Sequence, residues 1–398
     1  TSVGPKEMAA AIRLVLERHG FQAGRYAVGW GSCDASTAQS GVFEPRRCGA
    51  NANAYAAVKR LVAVIGPYNS QCTAVQLPIL NRAHGGPIAT VSPSNTYPGL
   101  TRPVSVSPEG GGYRGEPGVF YPTDVRNFMT LGAGDDLAGT ADAMLADALG
   151  LHDAYLLDAG DGTLNVLVTQ SFRYAARRLG IHIAGASTFD PRKPSFADVA
   201  DRVARSGADH VVIAADIYLG ADRLLKALRA RLGDKVTLMA GSFGFVPLSE
   251  VLKRAGRASH GLYVSSIDEP APLRGASRPG HALARELGTP RPQPYVLEAA
   301  QATELVLAAI ARSDGSRASV LRALRASQVR DGILGTFRLD ANGDMTPPRV
   351  TILRLTGSTP PGSELNPGFE GAVVDRILHV PPELVEGAPA TPRRGPAG

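Results

Sequence analysis

Short apolar runs rich in β-branched residues alternate along the chain with longer segments in which apolar residues recur every three or four positions. The short runs predict strands and the longer segments predict helices. The predicted strands are 26–31, 61–65, 88–91, 128–131, 154–157, 182–187, 210–214 and 236–239. The predicted helices between them are 53–59, 73–83, 137–149, 165–179, 196–205 and 219–232. This alternation is typical of βαβ units, whose helices cover both faces of largely parallel sheets.

Two segments rich in Gly and Pro interrupt the alternation. The first covers 101–123 and reads as a boundary between lobes. The second, 259–272, contains a strand-like run at 261–267 before another Pro-rich loop. These breaks predict that the chain is divided into lobes.

The pattern changes again in the last third of the chain. The predicted helices here are 280–287, 295–311 and 317–326. Residues 335–355 predict a hairpin with Asn342 and Gly343 in its turn. Beyond Gly357 the composition predicts a largely irregular tail, to which 372–380 can add one strand.

Length and charge narrow the class of protein. The 398 residues suffice for two domains with separate cores. The formal charge of +6 comes from Arg and Lys spread along helical segments such as 223–231, which favours solvated helix faces over a nucleic-acid surface. No run is apolar enough to span a membrane, because Glu298 and Glu304 interrupt 295–311. We expect no nucleic acid and no direct membrane insertion.

The start of the chain shows no secretory signal, since no basic segment and apolar run follow Thr1. The compartment is therefore inferred from the cysteines. Cys33, Cys48 and Cys72 lie in the first fifth of the chain, without metal-binding spacing. They predict one disulfide and one free thiol, and an oxidising compartment. The sequence does not determine the pair; we expect Cys33 with Cys48, and three buried thiols remain the alternative.

The familiar catalytic and cofactor motifs are weak or missing. Gly110, Gly112 and Gly115 match a dinucleotide-binding pattern, but they follow no strand and Pro117 stands where a helix should start. Residues 340–344 resemble a calcium loop but fit a hairpin turn better, because the closing Glu is missing. We expect no cofactor and no metal.

Two polar turns directly follow predicted strands, where open α/β sheets bind their ligands. The first, 66–73, places Ser70 at or near a helix N-terminus, where its hydroxyl and free N–H groups can hold a carboxylate. The second, 91–96, carries Ser94 and Thr96. A plain helix cap at Ser70 and a simple turn at 91–96 are the alternatives.

The motifs Ile65-Gly66-Pro67-Tyr68-Asn69-Ser70 and 91–101, Val-Ser-Pro-Ser-Asn-Thr-Tyr-Pro-Gly-Leu-Thr, resemble the ligand-binding turns of the periplasmic leucine/isoleucine/valine-binding family. Pro294-Tyr295-Val296 and residues 335–344 also resemble that family, and the resemblance runs in order from about residue 4 to 355. It implies an α/β fold of two doubly wound parallel-sheet lobes joined by three crossovers, as in type I periplasmic binding proteins. It also implies hinge closure around a ligand and delivery to an ABC permease outside the cytoplasm, in the periplasm or attached to the cell surface.

The resemblance also implies roles for individual residues. In the first lobe Ser70 resembles the hydroxyl that grips a ligand carboxylate, and Ser94 and Thr96 resemble residues that bind carboxylate and amine. In the second lobe Tyr218 resembles an aromatic cover, while Ser242 stands where amino-acid binders present a carboxylate to the ligand ammonium. The expected ligand-binding residues are Tyr68, Asn69, Ser70, Ser94, Asn95, Thr96, Asp161, Asp216, Tyr218, Ser242 and Phe243.

Ser242 departs from the family pattern, because a buried ammonium requires a countercharge. Either Asp216 or Asp161 supplies it, or the ligand is not an α-amino acid; we expect an amino acid or a close polar relative. A second departure lies at the start, where the family has a strand and this chain has only 1–3, so we expect that the chain is trimmed or cut from a longer protein.

The expected lobes are 1–125 with 259–332, and 126–258 with 333–357, followed by the tail 358–398. A ligand-sensing domain of a signalling protein is the alternative within the same fold. A cleft enzyme that uses Asp158, Asp161, Asp216 and His210 as an acid/base set is the alternative from another class. We expect solute binding without catalysis.

Overall fold

The computed structural model describes residues 3–37, 43–104, 112–160, 165–267, 277–289, 292–358, 365 and 368–387. The chain forms two units. Unit 1 comprises 1–103, 113–134 and 270–346, and unit 2 comprises 104–112, 135–269 and 347–398. Apart from the short stretch 104–112, the chain therefore passes between the units three times. No helix in the described part of the chain is both long and apolar enough to cross a bilayer.

Helices and strands alternate through most of the chain. The helices are α1 (Val3–Arg18), α2 (Pro45–Ala57), α3 (Ser70–Asn81), α4 (Asp136–Ala148), α5 (Val166–Leu179), α6 (Ala197–Ser206), α7 (Ala221–Leu232), α8 (Leu248–Ala255), α9 (Arg278–Glu286), α10 (Val296–Ala311) and α11 (Arg317–Arg325). The strands are β1 (Gln22–Ala23), β2 (Tyr26–Ala27), β3 (Ala63–Ile65), β4 (Ala89–Ser92), β5 (Phe128–Thr130), β6 (Asp153–Asp158), β7 (His182–Thr188), β8 (His210–Ala214), β9 (Thr237–Gly241), β10 (Tyr263–Ser266), β11 (Gln328–Gly332), β12 (Gly335–Leu339), β13 (Met345–Thr346), β14 (Arg349–Leu355) and β15 (Ala372–His379).

Unit 1 contains a parallel sheet in the order β3-β4-β5. Every side chain of β4 is buried, as expected for a strand covered on both faces. Val91 and Met129 of the sheet pack into one apolar cluster with Val15 of α1 and Val296 of α10. This core fixes the carboxyl ends of β3 and β4, where the predicted ligand turns begin.

Unit 2 contains a seven-stranded sheet in the order β15-β14-β10-β9-β8-β6-β7. Strands β10, β9, β8, β6 and β7 run parallel to one another. Beyond β10, strands β14 and β15 extend the sheet in antiparallel orientation. Leu157, Val211 and Val264 of the sheet pack with Leu224 of α7 into one buried cluster. The second set of predicted ligand residues follows the carboxyl ends of these parallel strands.

The predicted elements from 61 to 239 agree with β3 to β9 and the intervening helices to within a few residues. The helix predicted at 53–59 begins eight residues earlier, at Pro45. Proline is tolerated there because the first turn of a helix does not need its missing N–H group. Helices α1 and α8 were missed. The strand predicted at 26–31 pairs only over Tyr26–Ala27, antiparallel to β1.

The hairpin predicted at 335–355 is wrong in its second half. β12 pairs with β13 and, on its other side, with β11. The Asp340 carboxylate closes the turn by accepting the backbone N–H groups of Asn342 and Gly343 at 2.8 and 3.0 Å. β14 joins the sheet of unit 2 instead, where it pairs antiparallel with β10 and β15.

Besides the short stretch 104–112, which falls in unit 2, the division into units differs from the expected lobes in four segments. Residues 126–134 belong to unit 1, because β5 pairs with β4. Residues 259–267 belong to unit 2, because β10 pairs with β9. The turn region 335–346 lies in unit 1, and the tail segment 372–379 is strand β15 of unit 2. Strand pairing, which the local pattern does not specify, decides each of these assignments.

The disulfide joins Cys48 and Cys72, so the expected pairing of Cys33 with Cys48 is wrong. Cys48 is a buried residue of α2 and Cys72 a buried residue of the first turn of α3, with their Cα atoms 5.4 Å apart. Cys33 is the free thiol and is exposed. Packing of α2 on α3 brings together two cysteines that are farther apart in sequence than the expected pair.

Candidate functional site

In unit 1 the loops after β3 and β4 meet at the carboxyl edge of the parallel sheet. The first loop, 66–69, begins at Gly66 with a φ of +119°, a conformation that favours glycine. It leads directly into α3. The second loop, 93–97, follows β4. The structure therefore brings together the six ligand residues that were predicted in this half of the chain.

Asn95 holds the two loops together. Its side chain is buried, and Nδ2 donates to the carbonyl oxygens of Pro67 and Tyr68, each at 3.1 Å. Its Oδ1 accepts the hydroxyl of Thr73 on α3. The amide group thus satisfies three neighbours, so Asn95 positions the two loops; whether it also contacts a ligand stays a prediction.

Two serines support the same arrangement. The Ser94 hydroxyl is buried and donates to the carbonyl oxygen of Tyr68 at 2.9 Å, so its proton is not available for a ligand carboxylate. The Ser92 hydroxyl donates to the carbonyl oxygen of Pro67 and accepts the backbone N–H groups of Ser94 and Asn95. Sequence reasoning missed Ser92; its position as the last residue of a buried strand was the available signal.

Ser70 is the predicted residue whose geometry best fits an anion. Its Oγ accepts the backbone N–H groups of Thr96 and Tyr97 at 3.3 and 3.2 Å. A hydroxyl has two acceptor sites and one donor proton, so these bonds leave the proton for an oxygen of a ligand. Thr96 is half-buried beside it, and its hydroxyl makes no hydrogen bond within the described residues. Together they offer two hydroxyl groups to one ligand.

The start of α3 adds backbone donors to these hydroxyls. Asn69 is the N-cap residue, and its side chain forms no capping hydrogen bond. The first N–H groups of a helix lack partners within the helix, and the helix dipole gives this end a partial positive charge. A carboxylate here would therefore meet hydroxyl and backbone donors without needing a cationic side chain.

Aromatic side chains border this part of unit 1. Tyr68 is 43% exposed, and its ring meets that of Tyr295 edge-to-face with 6.3 Å between centroids. Tyr295 precedes α10 in a left-handed conformation, with a φ of +69°. The Tyr97 hydroxyl donates to Glu116 at 2.6 Å, and burial, reinforced by Glu116, raises the pKa of Tyr97 far above its ordinary value. Tyr97 is therefore a neutral member of this group of aromatic side chains.

Unit 2 presents its own residues after β8 and β9. The backbone N–H of Ile217 donates to the carbonyl oxygen of Gly244 at 2.8 Å, which holds the two loops side by side. Tyr218 and Phe243 are 52% and 43% exposed. The Arg254 guanidinium lies 4.8 Å from the Tyr218 ring centroid. These two loops form an exposed aromatic surface within unit 2.

The two polar residues predicted in these loops have structural partners. Asp216 accepts the backbone N–H of Tyr218 at 2.7 Å and so caps the short 3₁₀ turn Ile217–Leu219. Ser242 is buried, and its backbone N–H donates to the carbonyl oxygen of Ser265 at 3.0 Å. Asp161 lies outside the described residues. The structure therefore gives Asp216 a capping role.

A buried carboxyl group in unit 2 escaped the sequence analysis. Asp142 lies on α4 and accepts the hydroxyl of Ser265 from β10 at Oδ1. Burial raises its pKa to about 7, although the Ser265 hydrogen bond opposes the shift. Its Oδ2 has no hydrogen-bond partner among the described residues. An Asp among Ala141, Ala143 and Leu145 on a predicted helix was the only sequence signal.

The structure separates two members of the proposed acid/base set, Asp158 and His210. Asp158 ends β6 and accepts the backbone N–H of Gly160 at 2.7 Å, whereas His210 begins β8. Because the two strands are parallel, these residues lie at opposite ends of the strands, roughly 13 Å apart along the strand direction. His210 is buried, and burial lowers its pKa despite the adjacent Asp209. Asp158 and His210 therefore cannot act together on one substrate.

Comparison with solved structures identifies the fold. The leucine-binding protein LivK from Thermotoga maritima is 19% identical, with 91% of this chain and 94% of that chain covered and a TM-score of 0.61. A substrate-binding protein of an ABC transporter from Desulfitobacterium hafniense, in complex with leucine, is 21% identical over 88% and 93% of the two chains, with a TM-score of 0.63. A solute-binding protein from R. palustris in complex with 4-hydroxybenzoate is 14% identical over 93% and 92%, with a TM-score of 0.62.

These structures confirm the expected type I periplasmic-binding-protein fold. No curated protein is significantly similar to the chain in sequence. The family model described as periplasmic binding protein matches residues 44–359, which is most of the chain. The chain belongs to the periplasmic binding protein family.

Proposed function

We propose that this protein is an extracytoplasmic solute-binding protein that binds a small carboxylate and delivers it to an ABC-type importer. Family membership supports a role in solute binding. The similar structures named above belong to transport proteins, two associated with leucine and one with 4-hydroxybenzoate. An amino acid and an aromatic acid share a carboxylate, so this is the group that we assign to the ligand.

The observation that carries this proposal is the free donor proton of Ser70 at the start of α3. Two backbone N–H groups occupy the acceptor sites of its hydroxyl, which directs the remaining proton away from the loop after β4. The neighbouring N–H groups at the helix start carry partial positive charge. A carboxylate oxygen satisfies both kinds of donor.

The charge of the rest of the ligand is the second part of the proposal. Asp216 caps a turn, and a serine occupies the position where the resemblance implies a carboxylate. Neither arrangement is typical of a dedicated ammonium site, which needs a carboxylate whose oxygens face the ligand. We therefore favour a carboxylic acid without a cationic amine, in place of the amino acid expected from the sequence.

The disulfide supports the proposed compartment. A disulfide between two buried cysteines persists in oxidising environments and is rare in the cytosol. This agrees with a periplasmic or cell-surface location and with a protein that meets its ligand before the importer does.

A panel of matched ligands tests the function. Purified protein would be heated with leucine, its deaminated analogue 4-methylpentanoate, the corresponding amide, benzoate and 4-hydroxybenzoate. A ligand present at 100 times its dissociation constant stabilises a protein by about 2.7 kcal/mol, so binders raise the melting temperature measurably. We expect at least one carboxylate to do so and the neutral amide to fail.

Two outcomes would contradict the proposal. Equal stabilisation by 4-methylpentanoate and its amide would show that no carboxylate is recognised. If mass spectrometry over several hours detected chemical conversion of a stabilising ligand, the protein would be an enzyme. Stronger stabilisation by leucine than by 4-methylpentanoate would retain solute binding but reject our choice of ligand charge.

A further inference from the structure

Tyr68 is an exposed aromatic residue whose backbone is fixed by two side chains. Its carbonyl oxygen accepts the Ser94 hydroxyl at 2.9 Å and Nδ2 of Asn95 at 3.1 Å. Both donor residues are buried, whereas Tyr68 is 43% exposed. The loop after β3 is therefore held firmly at a residue whose own side chain stays partly in contact with solvent.

The ring of Tyr68 is held as well as its backbone. Tyr295 meets it edge-to-face, with 6.3 Å between the ring centroids and 81° between the ring planes. Tyr295 is buried and has a φ of +69°, an uncommon conformation for a bulky residue that persists only where the surroundings enforce it. An edge-to-face pair covers one face of one ring. At least one face of Tyr68 is therefore left uncovered by Tyr295.

The Tyr68 side chain lies beside the donor proton that we assign to the ligand carboxylate. Asn69, between Tyr68 and Ser70, has an extended backbone with a φ of −97° and a ψ of 140°. The side chains on either side of an extended residue point in the same direction, and their Cα atoms are roughly 6 to 7 Å apart. A ligand whose carboxylate is bound at Ser70 can thus place its neighbouring carbons against the Tyr68 ring.

Aromatic residues are scarce in this chain but are concentrated at this turn. They make up 6% of the sequence, yet Tyr68, Tyr97 and Tyr295 lie in the turn at Ser70 or contact it. Tyrosine rings carry no charge at neutral pH. These residues therefore favour a ligand that is uncharged and apolar beyond its carboxylate.

We propose that Tyr68 selects a ring at or next to the carboxylate, so that the ligand is an aromatic carboxylic acid. This selection rests on the carboxylate site proposed above at Ser70. A second ring that stacks on the free face of Tyr68, or meets it edge-to-face, gains more than the burial of its area alone. An aliphatic chain gains only from burial, which makes Tyr68 a specificity-determining residue.

Matched pairs of acids isolate the contribution of the aromatic ring. Benzoate is compared with cyclohexanecarboxylate, and phenylacetate with cyclohexylacetate, by isothermal titration of the full chain. The saturated ring of each pair has the larger apolar surface, so burial alone favours it. We expect the aromatic member of at least one pair to bind about threefold more tightly or better.

Two variants assign this preference to Tyr68. Tyr68→Leu keeps an apolar side chain without a ring, so the aromatic and saturated acids should bind about equally. Tyr68→Phe keeps the ring and should preserve the preference. Tyr174→Leu is the matched control, because Tyr174 lies on α5 of unit 2 with its ring against Arg178, and both affinities should stay unchanged.

Equal or tighter binding of both saturated acids by the wild type would overturn the aromatic preference and leave carboxylate recognition intact. An undiminished preference in Tyr68→Leu would overturn the role of Tyr68. Failure of every carboxylate, aliphatic or aromatic, would reject the proposed function and the aromatic preference together. The wild-type comparison is decisive even if Tyr68→Leu does not fold.

Discussion

The hydroxyl oxygen of Ser70 accepts the backbone N–H of Tyr97 at 3.2 Å, which ties the first residue of α3 to the loop after β4. This bond orients the serine proton before any ligand is present. Donors that are fixed in advance bind more tightly because less freedom is lost on association.

Replacement of Ser70 and Thr96 together by alanine should weaken carboxylate binding by about 1 to 3 kcal/mol, because two hydroxyl donors are lost. Isothermal titration with the ligand from the panel measures the change. Ser94→Ala is the matched control, since its hydroxyl already donates to Tyr68 and should affect stability more than affinity. Unchanged affinity in the double variant would remove Ser70 and Thr96 from the site.

Asn95→Ala should lower the free energy of unfolding by about 2 to 4 kcal/mol, because it leaves the carbonyl oxygens of Pro67 and Tyr68 and the Thr73 hydroxyl without their partner. Urea unfolding measures the loss. Asn69→Ala is the control, because the Asn69 side chain makes no capping bond and its loss should cost about 0.5 kcal/mol or less. Similar losses in the two variants would refute the positioning role of Asn95.

The pH dependence of stability should contain a contribution from Asp142. Its folded pKa of about 7 lies above the ordinary value of 3.8, so between these values the folded state retains a proton that the unfolded state has released. The contribution to stability is therefore complete below about pH 4 and declines by about 1.4 kcal/mol per pH unit until about pH 7.

Asp142→Asn removes this titration and leaves the other ionisable groups in place. The stability of the variant relative to the wild type should rise from pH 4 to pH 7 and then level off. Urea midpoints measured at each pH provide the comparison. A difference that does not vary with pH would show that Asp142 is not held protonated by burial.

Reduction of the Cys48–Cys72 disulfide should lower stability by about 3 kcal/mol, as expected when a loop of this length is released. The double variant Cys48→Ala with Cys72→Ala should behave similarly, and Cys33→Ser should leave the melting temperature unchanged. Alkylation without reductant, followed by peptide mapping, should label Cys33 alone. Label on Cys48 or Cys72 in exported protein would refute the pairing.

Asp216→Asn separates charge from capping, because asparagine is as good a cap as aspartate. If Asp216 acts as the cap seen in unit 2, the variant should bind the carboxylate with unchanged affinity. A tenfold or larger loss, confined to ligands that carry an amine, would instead assign Asp216 to an ammonium group. Calorimetry with leucine and 4-methylpentanoate distinguishes these results.

Hydrophobic periodicity and turn composition determined most of the secondary structure between residues 61 and 241. They predicted the parallel strands β3 to β9, most of their helices, and the polar turns around Ser70 and Thr96. These features depend on neighbours in the sequence, so the local pattern contains them.

Tertiary structure decided what local patterns do not specify. Packing of α2 on α3 selected Cys72 as the partner of Cys48, and strand pairing placed β10, β14 and β15 in one sheet. The roles of Asn95, Ser94 and Asp216 followed from hydrogen bonds to backbone groups, some of them more than twenty residues away. A polar residue after a strand has the same sequence signature whether it binds a ligand or a neighbouring loop, because only the folded chain shows which partner its hydrogen bonds reach.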